Sequence, residues 1–208
     1  MSITKHKKFM IFVDGTNFLS QIAREFDIKY DGQKPPFSAL DAATAFINHI
    51  SNEMVKNAAY GLDIPVRKFW FGSYKGDENY EYDLKKYLRG KSYEAVLFKA
   101  INNKEKGVDI ALTREMLLNA FNQNYDVGLV IAGDEDYVEL INDVKRFGIH
   151  VRGAFFAGKG LSKKLQITYD QYFEMGDFQW IKTQYAEFAK AIEYEQKEYK
   201  KMKQAKKT

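Results

Sequence analysis

Four aspartates stand where apolar runs give way to polar turns: Asp14, Asp109, Asp134 and Asp136. Asp14 closes the run Phe9-Met10-Ile11-Phe12-Val13 and is followed by Gly15-Thr16-Asn17. Asp134 and Asp136 follow Val127-Gly128-Leu129-Val130-Ile131-Ala132, in the turn Gly133-Asp134-Glu135-Asp136. Asp109 opens a helical pattern just after a third apolar run. In a parallel α/β sheet such strand ends meet along one edge, where ligands bind. Carboxylates gathered there repel one another unless a cation lies between them, and hard divalent ions prefer carboxylate and water oxygens. The pattern predicts a magnesium or manganese site. Such ions neutralise the charge that protects a phosphodiester and activate water against it, so the expected chemistry is in-line hydrolysis without a covalent enzyme intermediate. Asp14 and Asp134 are the expected direct ligands. Asp109 and Asp136 bind directly or orient water, and the Asn17 amide positions a water or a phosphate oxygen.

Each residue also has a purely structural use. Asp14-Gly15 can simply make a turn, Asp134 or Asp136 can cap the next helix, and Asp109 can favour its own helix N-terminus. The metal reading rests on all of them sharing one sheet edge. Thr16 and Lys106 are lesser candidates, and Thr113, one turn after Asp109, shares its helical face. Aromatic and basic residues interleave at Tyr74-Lys75, Tyr80, Tyr82, Lys85-Lys86-Tyr87, Arg89, Lys91 and Tyr93. They could stack unpaired bases and bind phosphates, or form an amphipathic surface helix. The stretch from Gly153 to Gly160 nearly matches a phosphate-binding loop. It fails because Gly160 stands where Ser or Thr is needed and Gly153 falls inside a predicted strand.

The elements that must position these residues follow from periodicity. Apolar runs predict strands at Lys8–Val13, Val66–Gly72, Glu94–Ile101, Val127–Ala132 and Ile149–Phe156. Helical spacing predicts Asn17–Phe26, a long helix to about Ala59 with Ser38 or Asp41 as cap, and helices at Val108–Phe121 and Tyr137–Phe147. Short helices are predicted near Tyr82–Leu88 and Leu161–Ile167, and a long terminal helix from about Phe178. Strands alternating with helices give an α/β fold with a mostly parallel central sheet and helices on both faces.

Composition bounds the rest. The 208 residues suit one domain, 1–176, with a lysine-rich helical extension, 177–208. Cysteine is absent, which excludes disulfides, thiolate zinc sites and a cysteine nucleophile, and fits a cytoplasmic protein. His6, His49 and His150 share no metal-ligand spacing. No run of about 18 apolar residues predicts a membrane span, and the first residues lack a separate secretory hydrophobic stretch. Residues 181–208 hold eight lysines and four glutamates and so carry the whole net charge of +4. That segment could touch nucleic acid or be solvated. Its apolar stripe, Ile181, Tyr185, Phe188, Ile192, Tyr199 and Met202, would pack on its own domain or, more sharply, form a homodimer contact.

Three segments together resemble the NYN domain, a PIN-like, metal-dependent ribonuclease family that includes the LabA-like proteins. They are Phe12-Val13-Asp14-Gly15-Thr16-Asn17, Lys106-Gly107-Val108-Asp109 and Ala132-Gly133-Asp134-Glu135-Asp136-Tyr137. The later Leu161–Leu165 and Asp170–Phe173 resemble the family's closing segment, so the likeness spans roughly residues 8–175. The resemblance implies a PIN-like Rossmannoid fold and a divalent-metal site. Asp14 matches the aspartate ending the first strand, and Asn17 the asparagine three residues on. Asp109 matches the Lys-Gly-x-Asp aspartate, and Asp134 and Asp136 the pair in the Gly-Asp-x-Asp turn. Tyr137 stands where phenylalanine is common. The expectation is a Mg2+- or Mn2+-dependent ribonuclease acting on single-stranded or structured RNA. The alternatives are a nucleic-acid-binding or regulatory module with little turnover, and a metal-dependent phosphatase of small phosphate esters.

Overall fold

A computed structural model describes residues 7–25, 37–56, 65–100, 107–158 and 160–177, together with the single positions 190, 194, 197, 198 and 201. Within them six strands form one sheet: β1 (Phe9–Asp14), β2 (Arg67–Tyr74), β3 (Glu94–Lys99), β4 (Val127–Ile131), β5 (His150–Phe155) and β6 (Gln171–Glu174). Their order is β3-β2-β1-β4-β5-β6, and every neighbouring pair is parallel. Six helices connect them: α1 (Gly15–Glu25), α2 (Phe37–Lys56), α3 (Glu78–Gly90), α4 (Val108–Phe121), α5 (Val138–Arg146) and α6 (Lys163–Thr168).

This order makes β1 and β4 the centre. From β1 the chain winds outward through β2 and β3 on one side; from β4 it winds outward through β5 and β6 on the other. The crevice between the C-terminal ends of β1 and β4 is therefore the topological switch point, where open α/β sheets bind ligands. Every residue of β1 is buried, because both faces are covered. Phe9, Ile11 and Val13 face a core shared with α1, α2 and α3. Met10 and Phe12 face the other core, built with α4, α5 and α6. Each such side chain contributes about 1.5–3 kcal/mol by leaving water. The cost of the uninterrupted apolar run is that the first polar side chain, Asp14, also starts from inside.

The sequence reading missed β6. Four residues with only Tyr172 and Phe173 apolar give no measurable period, and the strand forms because β5 offers an edge to pair with. The segment after β2 holds a 13-residue helix, α3, where a shorter one was expected. Asp77 caps it by accepting the Tyr80 N–H, while only Leu84 and Leu88 are buried, which leaves a faint apolar signal. Neither Ser38 nor Asp41 precedes α2, which begins at Phe37; Asp41 instead pairs with Lys91 at 2.8 Å. The helix expected from Tyr137 is preceded by a 3-10 turn, Glu135–Tyr137, before α5. Apart from those five single positions, the expected terminal helix with its homodimer contact lies outside the described residues, as does Lys106. Among the described residues no helix is long and apolar enough to cross a membrane.

Asp170 fastens the late elements. Its carboxylate accepts the Val151 N–H at 2.7 Å and meets Lys145 of α5 at 2.8 Å, with His150 Nδ1 at 3.5 Å. Burial pushes its pKa up, but Lys145, the Val151 amide and His150 outweigh that and hold it below the usual value of 3.8. Burial holds His150 below its usual value of 6.5, although Asp170 pulls it up. Both groups are depressed, so the stability they contribute is present above their unfolded values and falls on acidification. The decline begins below pH 6.5 through His150 and continues below 3.8 through Asp170. Asp170→Asn should lower unfolding free energy by about 1–3 kcal/mol in urea at neutral pH. It should also flatten the acid limb of the stability profile below pH 4; an unchanged limb would refute the assignment.

Candidate active site

A cavity of about 320 Å³ opens at the switch point. Asp14, Asn17, Asp109, Asp134 and Asp136 all line it, so the five residues singled out in the sequence come together. They arrive from three stretches of chain. β1 delivers Asp14 as its last residue, and α1 begins at once with Gly15. The turn is possible only because Gly15 lacks a side chain: a Cβ there would sit 2.1 Å from the Trp70 indole nitrogen. Gly133, after β4, is equally constrained, since its Cβ would lie 2.0 Å from the Gly160 carbonyl oxygen.

Asp14 is only 7% exposed, and both of its oxygens accept hydrogen bonds. One takes the Asn17 N–H at 2.9 Å, which caps α1. The other takes the Tyr137 hydroxyl at 2.7 Å, across 123 residues of chain. Asn17 then crosses to the β4 side, where its Oδ1 accepts the Gly133 N–H at 3.0 Å. A backbone N–H can only donate, so this contact fixes the amide with Nδ2 left as a donor. Asp134 is exposed and caps the 3-10 turn by accepting the Asp136 N–H at 3.2 Å. Asp109 is exposed in the first turn of α4, behind Gly107 at φ +98°. The structural uses foreseen for these aspartates are therefore real, and they coexist with the shared cavity.

The positive ends of α1 and α4 point their N–H groups toward this edge and offset part of the carboxylate repulsion. Tyr137 senses the combined field. Burial pushes its hydroxyl far above the usual tyrosine value, and Asp14, Asp109 and Asp134 push it further. It stays protonated and donates. Glu135, between the two turn aspartates, is drawn away toward α6 by Lys164 at 2.6 Å and Ser162 at 3.2 Å. Among the described residues no three carboxylates are gathered closely enough to share one ion as they stand. The donor set nevertheless fits magnesium or manganese, which take one or two carboxylates, water and substrate oxygens.

Other expectations resolve differently. Thr16 lines the cavity, but its Oγ1 accepts the Ser73 N–H at 2.8 Å and so ties α1 to β2. Thr113 is not among the lining residues. Much of the aromatic–basic stretch is used internally. The Tyr74 hydroxyl donates to Glu81, Lys85 pairs with Glu81, Lys91 pairs with Asp41, and Tyr93 is buried. None of it lines the cavity, which favours the surface-helix reading. Gly153 lies within β5 against Tyr169, as the rejection of a phosphate-binding loop requires. Sequence reasoning missed Ser20, Arg24, Val108 and the Tyr137 hydroxyl as lining groups. The first two were detectable, because Asn17, Ser20 and Arg24 follow helical i, i+3, i+7 spacing.

A family model described as the NYN domain matches residues 8–176. The chain belongs to the NYN domain family. That membership puts it among PIN-like, nuclease-type hydrolases. A crystal structure of a protein of unknown function from Vibrio parahaemolyticus has a similar fold, with a TM-score of 0.59 at 16% identity. The similarity covers 85% of this chain and 98% of that one. No match was found among curated proteins.

Within this NYN domain the Tyr137–Asp14 bond has a measurable consequence. Tyr137→Phe removes one hydrogen-bond donor from the buried Asp14 carboxylate. It should cost about 1–3 kcal/mol in chemical unfolding. In a double-mutant cycle with Asp14→Asn, the two losses should not add; additive losses would mean the bond contributes nothing.

Proposed function

We propose that this protein is a magnesium- or manganese-dependent ribonuclease that hydrolyses RNA phosphodiester bonds at the cavity between β1 and β4. The observation carrying the reading is the convergence of Asp14, Asp109, Asp134 and Asp136 on one cavity of an NYN domain. Asp14 and Asp134 are the direct holders of the ion, and Asp109 and Asp136 hold it directly or through water. When bound, the divalent ion supplies positive charge against the phosphodiester and lowers the pKa of water.

The chain's own groups do the positioning. The Asn17 Nδ2, left as a donor by the Gly133 contact, hydrogen-bonds a nonbridging phosphate oxygen. The Asn17 N–H and the Tyr137 hydroxyl hold the Asp14 carboxylate in one orientation, so it loses little freedom when the site is filled. Asp109 and Asp136 are exposed at the rim, where they orient the attacking water.

Purified protein should cut labelled single-stranded RNA with magnesium or manganese and stop with chelator. Asp14→Asn and Asp134→Asn should each lower the rate about 100-fold or more. RNA bound but never cut would favour a binding module. Turnover of small phosphate esters alone would favour a phosphatase.

A further inference from the structure

Four carboxylates line the cavity, yet its substrate on the reading above is a polyanion. Among the described residues that line it, one side chain is cationic, Arg24. It stands on α1 two turns beyond Asn17, with Ser20 between them on the same helical face. At 1.5 Å per residue, the row from Asn17 to Arg24 runs about 10 Å along the helix axis, away from the aspartates. Ser20 and Arg24 are about 6 Å apart along it, close enough for a hydroxyl and a long guanidinium side chain to meet on one phosphate.

Arg24 is exposed, and among the described residues it joins no salt bridge. Its Nη1 donates to Gln21 Oε1 at 3.5 Å, the outer limit of a hydrogen bond. Gln21 itself is 4% exposed, bonded to Glu25 at 2.7 Å and seated against Gly160, where a Cβ would come within 2.2 Å of its oxygen. The Gln21 contact engages one guanidinium nitrogen of Arg24, Nη1, and the arginine side chain is otherwise exposed at the cavity. A guanidinium fork matches the oxygens of a phosphate, and a serine hydroxyl donates to the same group.

We propose that Ser20 and Arg24 form a phosphate subsite beside the aspartate centre, binding the phosphate next to the one that is cut. The inference rests on the ribonuclease reading for its substrate. It makes a second phosphate, from a neighbouring internucleotide link or a terminal monoester, part of what the site recognises. A strand entering the cavity exchanges carboxylate repulsion at the centre for attraction one step away, so recognition is of backbone and not of base.

The test uses the full chain and two independent readouts. In the first, a fluorescent single-stranded RNA is titrated in chelator across a range of salt. Arg24→Gln should weaken binding about tenfold at low salt. It should also reduce the slope of log affinity on log salt by about 0.7, the value of one lost phosphate contact on a single strand. Arg24→Lys, which keeps the charge, should restore the slope. In the second, turnover is compared among UpU, its 5′- and 3′-phosphorylated forms, and UpUpU. Wild type should prefer the substrates with a second phosphate through KM, and Arg24→Gln should abolish that preference. The phosphorylated forms separate a terminal monoester from an internal link. An unchanged salt slope in Arg24→Gln, or an unchanged substrate preference, overturns the subsite while leaving the ribonuclease reading intact. Altered slope without any RNA cutting by wild type overturns the ribonuclease reading, and with it the placement beside a cut phosphate, and leaves only a phosphate contact at Arg24. No RNA binding by wild type overturns both.

Discussion

A carboxylate placed at the buried end of a central strand is the constraint on which the site depends. Asp14 extends a strand with no exposed residue, so its charge begins inside the protein and must be met by donors there. The Asn17 N–H and the Tyr137 hydroxyl meet it. Those two bonds fix the start of α1 on one side and the 3-10 turn after β4 on the other. The Asn17–Gly133 bond closes the same bridge a second time. Satisfying one buried charge therefore joins the two halves of a doubly wound sheet at the point where their winding diverges.

The electrostatic character of the cavity follows from that junction. Parallel strands put all their C-terminal ends on one edge, and helices that leave those ends start with unsatisfied N–H groups. Aspartates are well placed there as caps before any ligand is considered, and Asp14 and Asp134 both serve in that way. What exceeds capping is their number around one cavity. The same edge that gathers negative charge also begins α1, whose length carries Arg24 clear of it. An acidic centre with a basic outlet along one helix is a natural result of this geometry, and it suits a ligand that is itself a chain of charges.

The glycines show how narrow the tolerance is. Gly15 lets Trp70 lie against the β1–α1 turn, and Gly133 lets the loop before α6 cross the β4 turn within contact of its backbone. Ser162 consolidates that crossing, donating its N–H to the Gly133 carbonyl at 2.8 Å. The aspartate pair is thus braced from β1, from α5 and from the segment before α6. Elements remote in sequence set the spacing of groups that are only two residues apart.

Apolar runs and turn chemistry made the central strands and the five site residues legible in the sequence. A strand buried on both faces must be continuously apolar, and a charge at its end is conspicuous. The helix Val108–Phe121 was readable to the residue, whereas β6 and the full length of α3 were not. An edge strand of four residues and a helix with two buried leucines acquire their form from the surfaces they pair with. By itself the sequence determined the parallel α/β class and the acidic residues at its strand ends, because burial and periodicity are local properties of the chain. Only the tertiary structure decided that Tyr137 grips Asp14, that Glu135 turns away and that Arg24 reaches the cavity. Those outcomes depend on distances between segments up to 123 residues apart, which no local pattern encodes.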